Sequence, residues 1–320
     1  MKKYTPIELD RVSTYAMKTR DNKVNIAEHF AAEPVIGGSF AEFFDSLPNL
    51  LGAESLRGVV SAVVNAYHNG RPVVLAIGGH VIKCGLQPVL KTLINSGIIS
   101  AVAMNGSVTI HDYEVSLVGA TSEDVGAVLH QGDFGFSAET GQGMNAALAK
   151  GRALGYGFGE SIGQAIIENR HPYKDFSLLA ACVEKGIPAT VHVAIGTDII
   201  HQHPQADGAT IGALSMQDFR LLTAVVADLG DGGVWLNVGS AVLLPEVFLK
   251  ALSIAQNLGH RVDNFTTANF DMIQQYRPLQ NVIKRPTSGQ GKGYTITGHH
   301  EINIPLLAQA ILEQLQREPQ

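Results

Sequence analysis

Residues 72–83 read PVVLAIGGHVIK and decide the fold class, because an uncharged strand pattern runs directly into a glycine pair. A short, valine-rich apolar run that ends at a turn residue is typical of a strand buried on both faces of a parallel sheet. Gly78-Gly79 then allow a tight turn, and a helical pattern follows. The stretch therefore predicts one strand–turn–helix unit of an α/β fold.

The same unit recurs along the chain. Four further strand-like runs follow, and between them apolar residues return at three- and four-residue spacing. We therefore predict a Rossmann-like, doubly wound α/β fold with a mostly parallel sheet and helices on both faces. The predicted strands are 72–77, 98–104, 189–195, 233–238 and 260–266, and the predicted helices are 54–67, 86–95, 176–184, 216–227, 245–257 and 304–315.

We expect one α/β domain over residues 51–320, preceded by an N-terminal helical extension over residues 1–50 that packs on the core. The chain has 320 residues, 45% of them hydrophobic, which is enough to bury a large core. The chain contains no proline- or serine-rich linker that would divide it, and it shows no fixed-period repeat. The first half of the glycine-rich stretch 132–163 is expected to be an extended loop, and residues 293–297 a hairpin-like element.

The charge and apolar patterns exclude several classes of partner. Lysine and arginine total 23 against 29 acidic residues, and no basic run contains aromatic residues, so we expect no nucleic-acid partner. No run of 18 apolar residues occurs and no secretory signal opens the chain, so we expect no membrane partner and a cytoplasmic location. Two cysteines are too few for a disulfide framework or a cysteine metal site.

The turns after the predicted strands are the first candidates for a site, because ligands of an open parallel sheet bind beyond the carboxyl ends of its strands. These turns are small and polar, and together they suit the phosphates of a dinucleotide resting on backbone N–H groups. Glycine at a tight turn also has a purely steric explanation, so packing is the alternative. The residues are Gly78, Gly79, His80 and Lys83 after the first strand, Asn105, Gly106 and Ser107 after the second, and Gly239 and Ser240 after the fourth.

Two groups of ionisable residues follow the second and third strands. His111 stands beside Asp112, which suits general acid–base catalysis but equally a helix N-cap. Asp198, His201 and His203 stand within six residues of each other. This set can bind a divalent metal, with the earlier histidine of the third strand as a further ligand, and hydrogen-bonded histidines are the alternative.

The order of these turns resembles deoxyhypusine synthase, an NAD-dependent family that moves an aminobutyl group from spermidine to a lysine of a translation-factor precursor. The resemblance runs from about residue 72 to residue 312, and its most specific parts are 176–198 and 233–271. In the second part, Val238-Gly239-Ser240 stands where the family has a glycine triplet, and Thr267-Ala268 resembles the Thr-Ala that meets the cofactor.

The resemblance implies NAD as the cofactor and a homotetramer whose sites lie across a subunit interface. By the same resemblance, Asp198 falls near the family's substrate and cofactor carboxylate. The residues assigned to NAD in this way are Gly79, His80, Lys83, Asn105, Gly106, Ser107, Thr267 and Ala268, with His299 and His300 on the adenine side.

The chain departs from the family at the catalytic lysine. That lysine follows a Trp-Gly pair shortly after an Arg-Pro, and counting from Arg277 places Pro286 there. Lys284 lies two residues earlier, and the tryptophan is missing. Authentic deoxyhypusine synthesis is therefore not expected, unless Lys284 or Lys292 reaches the same point.

We expect instead an NAD-dependent transferase or oxidoreductase that acts on a small polar substrate. His111 or His203 would accept the proton, oriented by Asp112 or Asp198, and a desolvated Lys284 would form an imine. Two alternatives stay open, a metal-dependent hydrolase or lyase and a non-catalytic NAD-binding subunit. The metal-dependent enzyme would use Asp198, His201 and His203 as ligands, His192 as a further one and Glu139 as a base.

Overall fold

The core of the protein is a six-stranded sheet in which every pair of neighbouring strands is parallel. The computed structural model describes residues 4–318. The strands are β1 Val73–Ile77, β2 Ala101–Asn105, β3 Ala189–His192, β4 Val234–Val238, β5 Thr266–Asp271 and β6 Lys292–Thr297. Their order, β3-β2-β1-β4-β5-β6, is that of a doubly wound fold and confirms the predicted Rossmann-like α/β class.

Helices cover both faces of the sheet. In β1, Val73, Leu75 and Ile77 belong to the larger core cluster, and Val74 and Ala76 to the smaller one on the other face. Both faces are buried, which is why the strand is apolar at every position. The α-helices within residues 4–318 are α1 Ile26–His29, α2 Phe40–Ser46, α3 Leu51–His68, α4 Gly79–Lys83, α5 Gln87–Asn95, α6 Gly106–Val118, α7 Val125–Val128, α8 Ala138–Leu154, α9 Phe158–Glu168, α10 Leu178–Lys185, α11 Gly208–Ala227, α12 Leu243–Asn257, α13 Tyr276–Pro278 and α14 His300–Arg317.

The last two strands differ from their predictions. β5 begins at Thr266, where the predicted strand ended. The prediction missed it because its threonine and asparagine residues resemble a polar loop, although residues 267–270 are buried. Asn269 tolerates this burial by accepting a hydrogen bond from the side chain of Asn237 on β4, at 2.7 Å. β6 pairs in parallel with β5 instead of forming a hairpin, since α13 and a π-helical turn, Leu279–Lys284, carry the chain back across the sheet.

The glycine-rich stretch is mostly helical, so the predicted loop over its first half is wrong. α8 begins at Ala138, and its glycines face neighbouring side chains at very short range. A Cβ on Gly141 would lie 2.1 Å from the ring of His203, and one on Gly151 would lie 1.8 Å from Ser161 Oγ. These glycines therefore serve close packing of a helix, which sequence patterns do not distinguish from loop formation.

Of residues 4–50, only the last part packs on the core. α2 packs on the core through Phe40 and Phe44, but residues 4–38 are exposed except for the partly buried His29 and, apart from α1 and one 3₁₀ turn, not helical. Residues 1–3 of the predicted extension and residues 319–320 of the predicted α/β domain lie outside the described residues. Among residues 4–318, no helix combines the length and the apolar character needed to cross a membrane.

Candidate functional site

Two glycines lie at the switch point of the sheet, the position between β1 and β4 where the strand order reverses. Gly78 donates its N–H to the carbonyl of Val238 at 3.0 Å, and a Cβ on Gly78 would lie 2.1 Å from the carbonyl oxygen of Gly239. Gly239 has a φ of +65°, a conformation that favours glycine. The glycines therefore allow the turns after β1 and β4 to touch, so packing alone accounts for them.

The turns after β1, β2 and β3 also pack against each other. A Cβ on Gly79 would lie 2.4 Å from Ser107 Oγ, and one on Gly106 would lie 2.0 Å from Asp198 Oδ2. Asn105 caps α6 by accepting from the N–H of Val108 at 3.3 Å, and its side chain also accepts from Ser107 Oγ at 3.0 Å. The predicted small-residue turns therefore form one continuous floor at the carboxyl edge of the sheet.

A cavity of about 430 Å³ lies beside this floor. Its walls come from α4, α6, the segment 122–137 and the turn after β3, and they mix apolar side chains with ionisable ones. Such a mixture of apolar walls and a few polar groups is typical of a small-molecule site. The charged or basic residues that line it are Lys83, His111, Glu114, Glu123 and Asp198.

His111 contributes a neutral imidazole to the cavity. Its Nδ1 lies 2.7 Å from Thr121 Oγ1, and Thr121 donates in turn to Glu114 Oε2 at 2.5 Å. Burial, and after it the charge of Lys83, lower the pKa of His111 to about 4. At neutral pH the ring is therefore uncharged and able to accept a proton.

Asp198 contributes a carboxyl group of altered acidity. It is buried against Gly106, and burial raises its pKa to about 6. His201 lies beside it, with Nε2 3.9 Å from Asp198 Oδ2 and Nδ1 accepting from the N–H of Gly196 at 3.1 Å. The structure therefore brings two predicted catalytic residues, His111 and Asp198, to one cavity, together with Lys83 and Ser107 of the predicted cofactor site.

Asp112 was predicted to have a catalytic role, and the structure corrects this prediction. Unlike its neighbour His111, it does not line the cavity. The carboxylate of Asp112 is fully buried and accepts from Ser177 Oγ at 2.5 Å and from the N–H groups of Leu178 and Leu179 at 2.8 and 3.1 Å. These are the first N–H groups of α10, so Asp112 satisfies the N-terminus of that helix across space. It does not orient His111.

His203 does not provide a base either. Its Nε2 lies 2.9 Å from the carbonyl oxygen of Gly135, which can only accept, so Nε2 carries the proton. The remaining nitrogen, Nδ1, packs against Gly141 of α8. His203 is therefore a buried packing residue.

The alternative metal site is not assembled. Among residues 4–318, no group of three or more His, Cys, Asp and Glu side chains is placed to hold a metal ion. His203 is committed to Gly135, and His192 shares a hydrogen bond of 3.1 Å with Thr190 on its own strand. Burial also lowers the pKa of His192 to about 3. Two of the proposed ligands, His203 and His192, are therefore committed to other partners.

Three further expected site residues lie away from the carboxyl edge. Lys284 is exposed. Its neighbour Ile283 contacts Gly293 at the amino-terminal start of β6, so Lys284 lies at the opposite edge of the sheet. Thr267 and Ala268 are fully buried inside β5, and Thr267 lies four residues before its end, about 13 Å along the strand. None of the three reaches a ligand in the cavity.

The histidines near the last turn flank the switch point. His80 and His299 are exposed, whereas His300 is buried with its Nε2 2.8 Å from the position of a Cβ on Gly239. The rings of His80 and His300 are 6.0 Å apart. His80 and Gly239 therefore both lie beside His300 at the switch point, and Ser240 is buried.

Comparison with known proteins finds similarity of structure only. No protein-family model matches the chain, and no curated protein matches it significantly in sequence. AgrE, in its ternary complex with ornithine and NAD+, has a TM-score of 0.52 and 14% identity over 82% of this chain. A protein of Methanococcus maripaludis S2 assigned to LOR/SDH has a TM-score of 0.51 and 16% identity, covering 84% of this chain and 70% of that one. A protein of Entamoeba histolytica assigned as a deoxyhypusine synthase has a TM-score of 0.51 and 10% identity, covering 87% and 94%.

These similarities establish the fold. The chain spans about a third of the length of AgrE, 33% of it, but nearly the whole of the protein from Entamoeba histolytica. The Rossmann-like α/β architecture therefore occurs both as a separate chain and as part of a longer one. The same fold carries different activities, so the activity of this chain depends on the residues of its site.

Sequence reasoning missed three polar residues of the site, Glu114, Thr121 and Glu123. Glu114 had a signal, since it stands three positions after His111 and a helix brings such residues to one face. Thr121 had none, because its contact with His111 is made by the segment that follows α6.

Proposed function

We propose that the chain is an NAD-dependent transferase or oxidoreductase that acts on a small polar substrate, and that it does not carry out authentic deoxyhypusine synthesis. The observation that carries the proposal is a neutral His111 and a buried Asp198 lining one cavity beside the floor of a doubly wound sheet. Ionisable groups whose pKa values are shifted in opposite directions within one cavity are typical of active sites.

The switch point is the place that we assign to NAD in this proposal. Gly79 and Gly239 are partly exposed there and carry no side chain, so their backbone is open to a phosphate. Lys83, exposed at the adjacent cavity, offers a positive charge. The shared fold of AgrE, whose complex holds NAD+, supports the choice. When bound, NAD supplies a hydride acceptor.

The protein's own residues bind the substrate and move its proton. His111 accepts a proton, since its imidazole is neutral at pH 7. Asp198, with a pKa of about 6, is mostly ionised at that pH and holds a polar substrate group by a hydrogen bond. Ser107 adds a hydroxyl on the floor of the cavity.

Self-association is part of the proposal, in line with the homotetramer that the resemblance implies. Large apolar side chains are exposed throughout the N-terminal segment, among them Leu9, Val12, Tyr15, Ile26 and Phe30, all at least 60% exposed. A contiguous series of exposed apolar residues on a soluble domain marks an interaction surface. A second copy of the chain is the proposed partner for this segment.

The first experiment is a calorimetric titration of NAD, NADP and adenosine into the purified protein. Binding of NAD with a defined stoichiometry, and weaker binding of adenosine, would support the cofactor assignment because the phosphates contribute. Absence of NAD binding at millimolar concentration would overturn it. Deuterium exchange into candidate substrates in heavy water, measured with NAD present, then separates an enzyme from a protein that only binds the nucleotide.

A further inference from the structure

We infer that Glu114 and Thr121 are positioning residues that hold His111 in a single tautomer, with the proton on Nδ1 and the lone pair on Nε2. The inference deepens the proposed function, in which His111 is the proton acceptor, and rests on it for its role in catalysis. Its structural part stands on hydrogen-bond geometry alone.

The direction of each hydrogen bond follows from what the groups can donate. An ionised carboxylate only accepts, so the single hydroxyl proton of Thr121 points to Glu114 Oε2, at 2.5 Å. Thr121 Oγ1 is then left with lone pairs towards His111 Nδ1, at 2.7 Å. Nδ1 has to donate, and the neutral imidazole therefore keeps no proton on Nε2.

Glu114 accepts a second hydrogen bond, which holds its carboxylate in place at the end of this chain of hydrogen bonds. Its other oxygen, Oε1, accepts from Thr140 Oγ1 at 3.0 Å. Thr140 belongs to α8 and is buried, whereas Thr121 comes from the segment after α6. Two separate elements thus hold the same carboxylate. As an acceptor only, it fixes the direction of the hydrogen bonds from His111 through Thr121 to Glu114.

The free nitrogen lies towards the proposed site. The carbon next to it, Cδ2, is 3.4 Å from the position of a Cβ on Gly79, so the Nε2 side of the ring points to the turn after β1. The charged groups that line the cavity together with the ring are Lys83 of α4, Glu114 of its own helix, Glu123 of the segment after α6 and Asp198 of the turn after β3. Lys83 disfavours a proton on the ring, and the carboxylate of Glu114, 3.9 Å from Nδ1, favours it.

Nuclear magnetic resonance of the full chain with ¹⁵N-labelled histidine tests the inference without any substrate. Two-bond correlations between ring protons and nitrogens report which nitrogen is protonated, and the His111→Gln variant identifies the signals of His111 among the 12 histidines. The expected result is a protonated Nδ1 and an unprotonated Nε2. A protonated Nε2 in the unaltered protein would overturn the inference.

Two substitutions separate positioning from general structure. Glu114→Gln replaces the carboxylate with an amide that can donate to Thr121, which frees the hydroxyl proton for Nδ1, so the proton of His111 should move to Nε2. Thr121→Val removes the relay and should give a mixture of tautomers, whereas Thr121→Ser should restore the Nδ1 form. An unchanged tautomer in both Glu114→Gln and Thr121→Val would overturn the inference. Because no nucleotide is present, failure here differs from failure to bind NAD.

Discussion

The carboxylate of Asp198 lies directly against the Cα of Gly106, so close that a methyl group on Gly106 would be 2.0 Å from Oδ2. This contact joins the turn after β3 to the first residue of α6, which also carries His111. The position of the acid in the cavity therefore depends on the absence of a side chain on the neighbouring turn.

Gly106→Ala should destabilise the protein, because Asp198 is buried and cannot move without displacing its turn. We expect a loss of about 1–3 kcal/mol in the free energy of unfolding, as for other overpacked sites. Urea denaturation measures it. Gly208→Ala is the matched control, since a Cβ there meets nothing within 4 Å and alanine favours the helix that it begins. Equal stability of the two variants would contradict the contact.

Asp198→Asn should change how stability depends on pH. Burial raises the pKa of Asp198 to about 6, so the folded state prefers the protonated form, and its contribution is lost as the pH rises through 6. The wild type should therefore lose up to about 3 kcal/mol relative to Asp198→Asn between pH 4 and pH 7. Taking this difference cancels the other buried carboxyls, Asp112 and Asp218, whose pKa values burial also raises. A pH-independent difference would mean that Asp198 titrates normally.

Substitution of the adjacent residues His111 and Asp112 should reduce the free energy of unfolding by different amounts. Asp112→Ala leaves the N–H groups of Leu178 and Leu179 without their buried acceptor, and we expect a loss of about 2–4 kcal/mol. His111→Gln faces a cavity and should cost less than about 1 kcal/mol. Urea denaturation of both at pH 7 decides the assignment. A greater loss for His111→Gln would reverse it.

The fold was predictable because its signals are local. Uncharged runs and the turns that end them placed β1 and β4 within a residue of their observed bounds. The prediction misplaced β5 because its buried threonine and asparagine residues resemble a polar loop. It missed α8 because glycine occurs in closely packed helices as well as in turns. In each case the deciding partner, Asn237 or His203, is distant in sequence.

The site was predictable only as far as strand ends define it. That rule placed His111 and Asp198 correctly at one edge of the sheet. Lys284 was suggested by the family resemblance and not by this rule. Its position at the other edge was not predictable, because the path of the chain between β5 and β6 cannot be read from spacing. Thr121 escaped for the same reason, as its contact depends on how the segment after α6 folds back.

The exposed N-terminal segment should control self-association. Replacing Leu9, Val12 and Ile26 by serine removes three large apolar side chains that contact no core cluster, so it should leave the fold intact. Light scattering after size-exclusion chromatography should show a smaller assembly than for the wild type. Leu258→Ser, at a residue 70% exposed elsewhere, is the control and should change nothing. An unchanged assembly in the triple variant would leave the segment without the proposed role.

Lys83→Gln should produce two effects that separate the cavity from the cofactor. Because the positive charge of Lys83 lowers the pKa of His111, its removal should raise that pKa, while burial still holds it below 6.5. If Lys83 also contacts a phosphate of NAD, affinity should fall by about tenfold or more, the value of one charge-assisted hydrogen bond. Lys292→Gln, at the amino-terminal start of β6, is the control and should change neither quantity. A raised pKa with unchanged affinity would keep Lys83 in the cavity but move the phosphates of NAD away from α4, whereas an unchanged pKa would contradict the arrangement of the cavity itself.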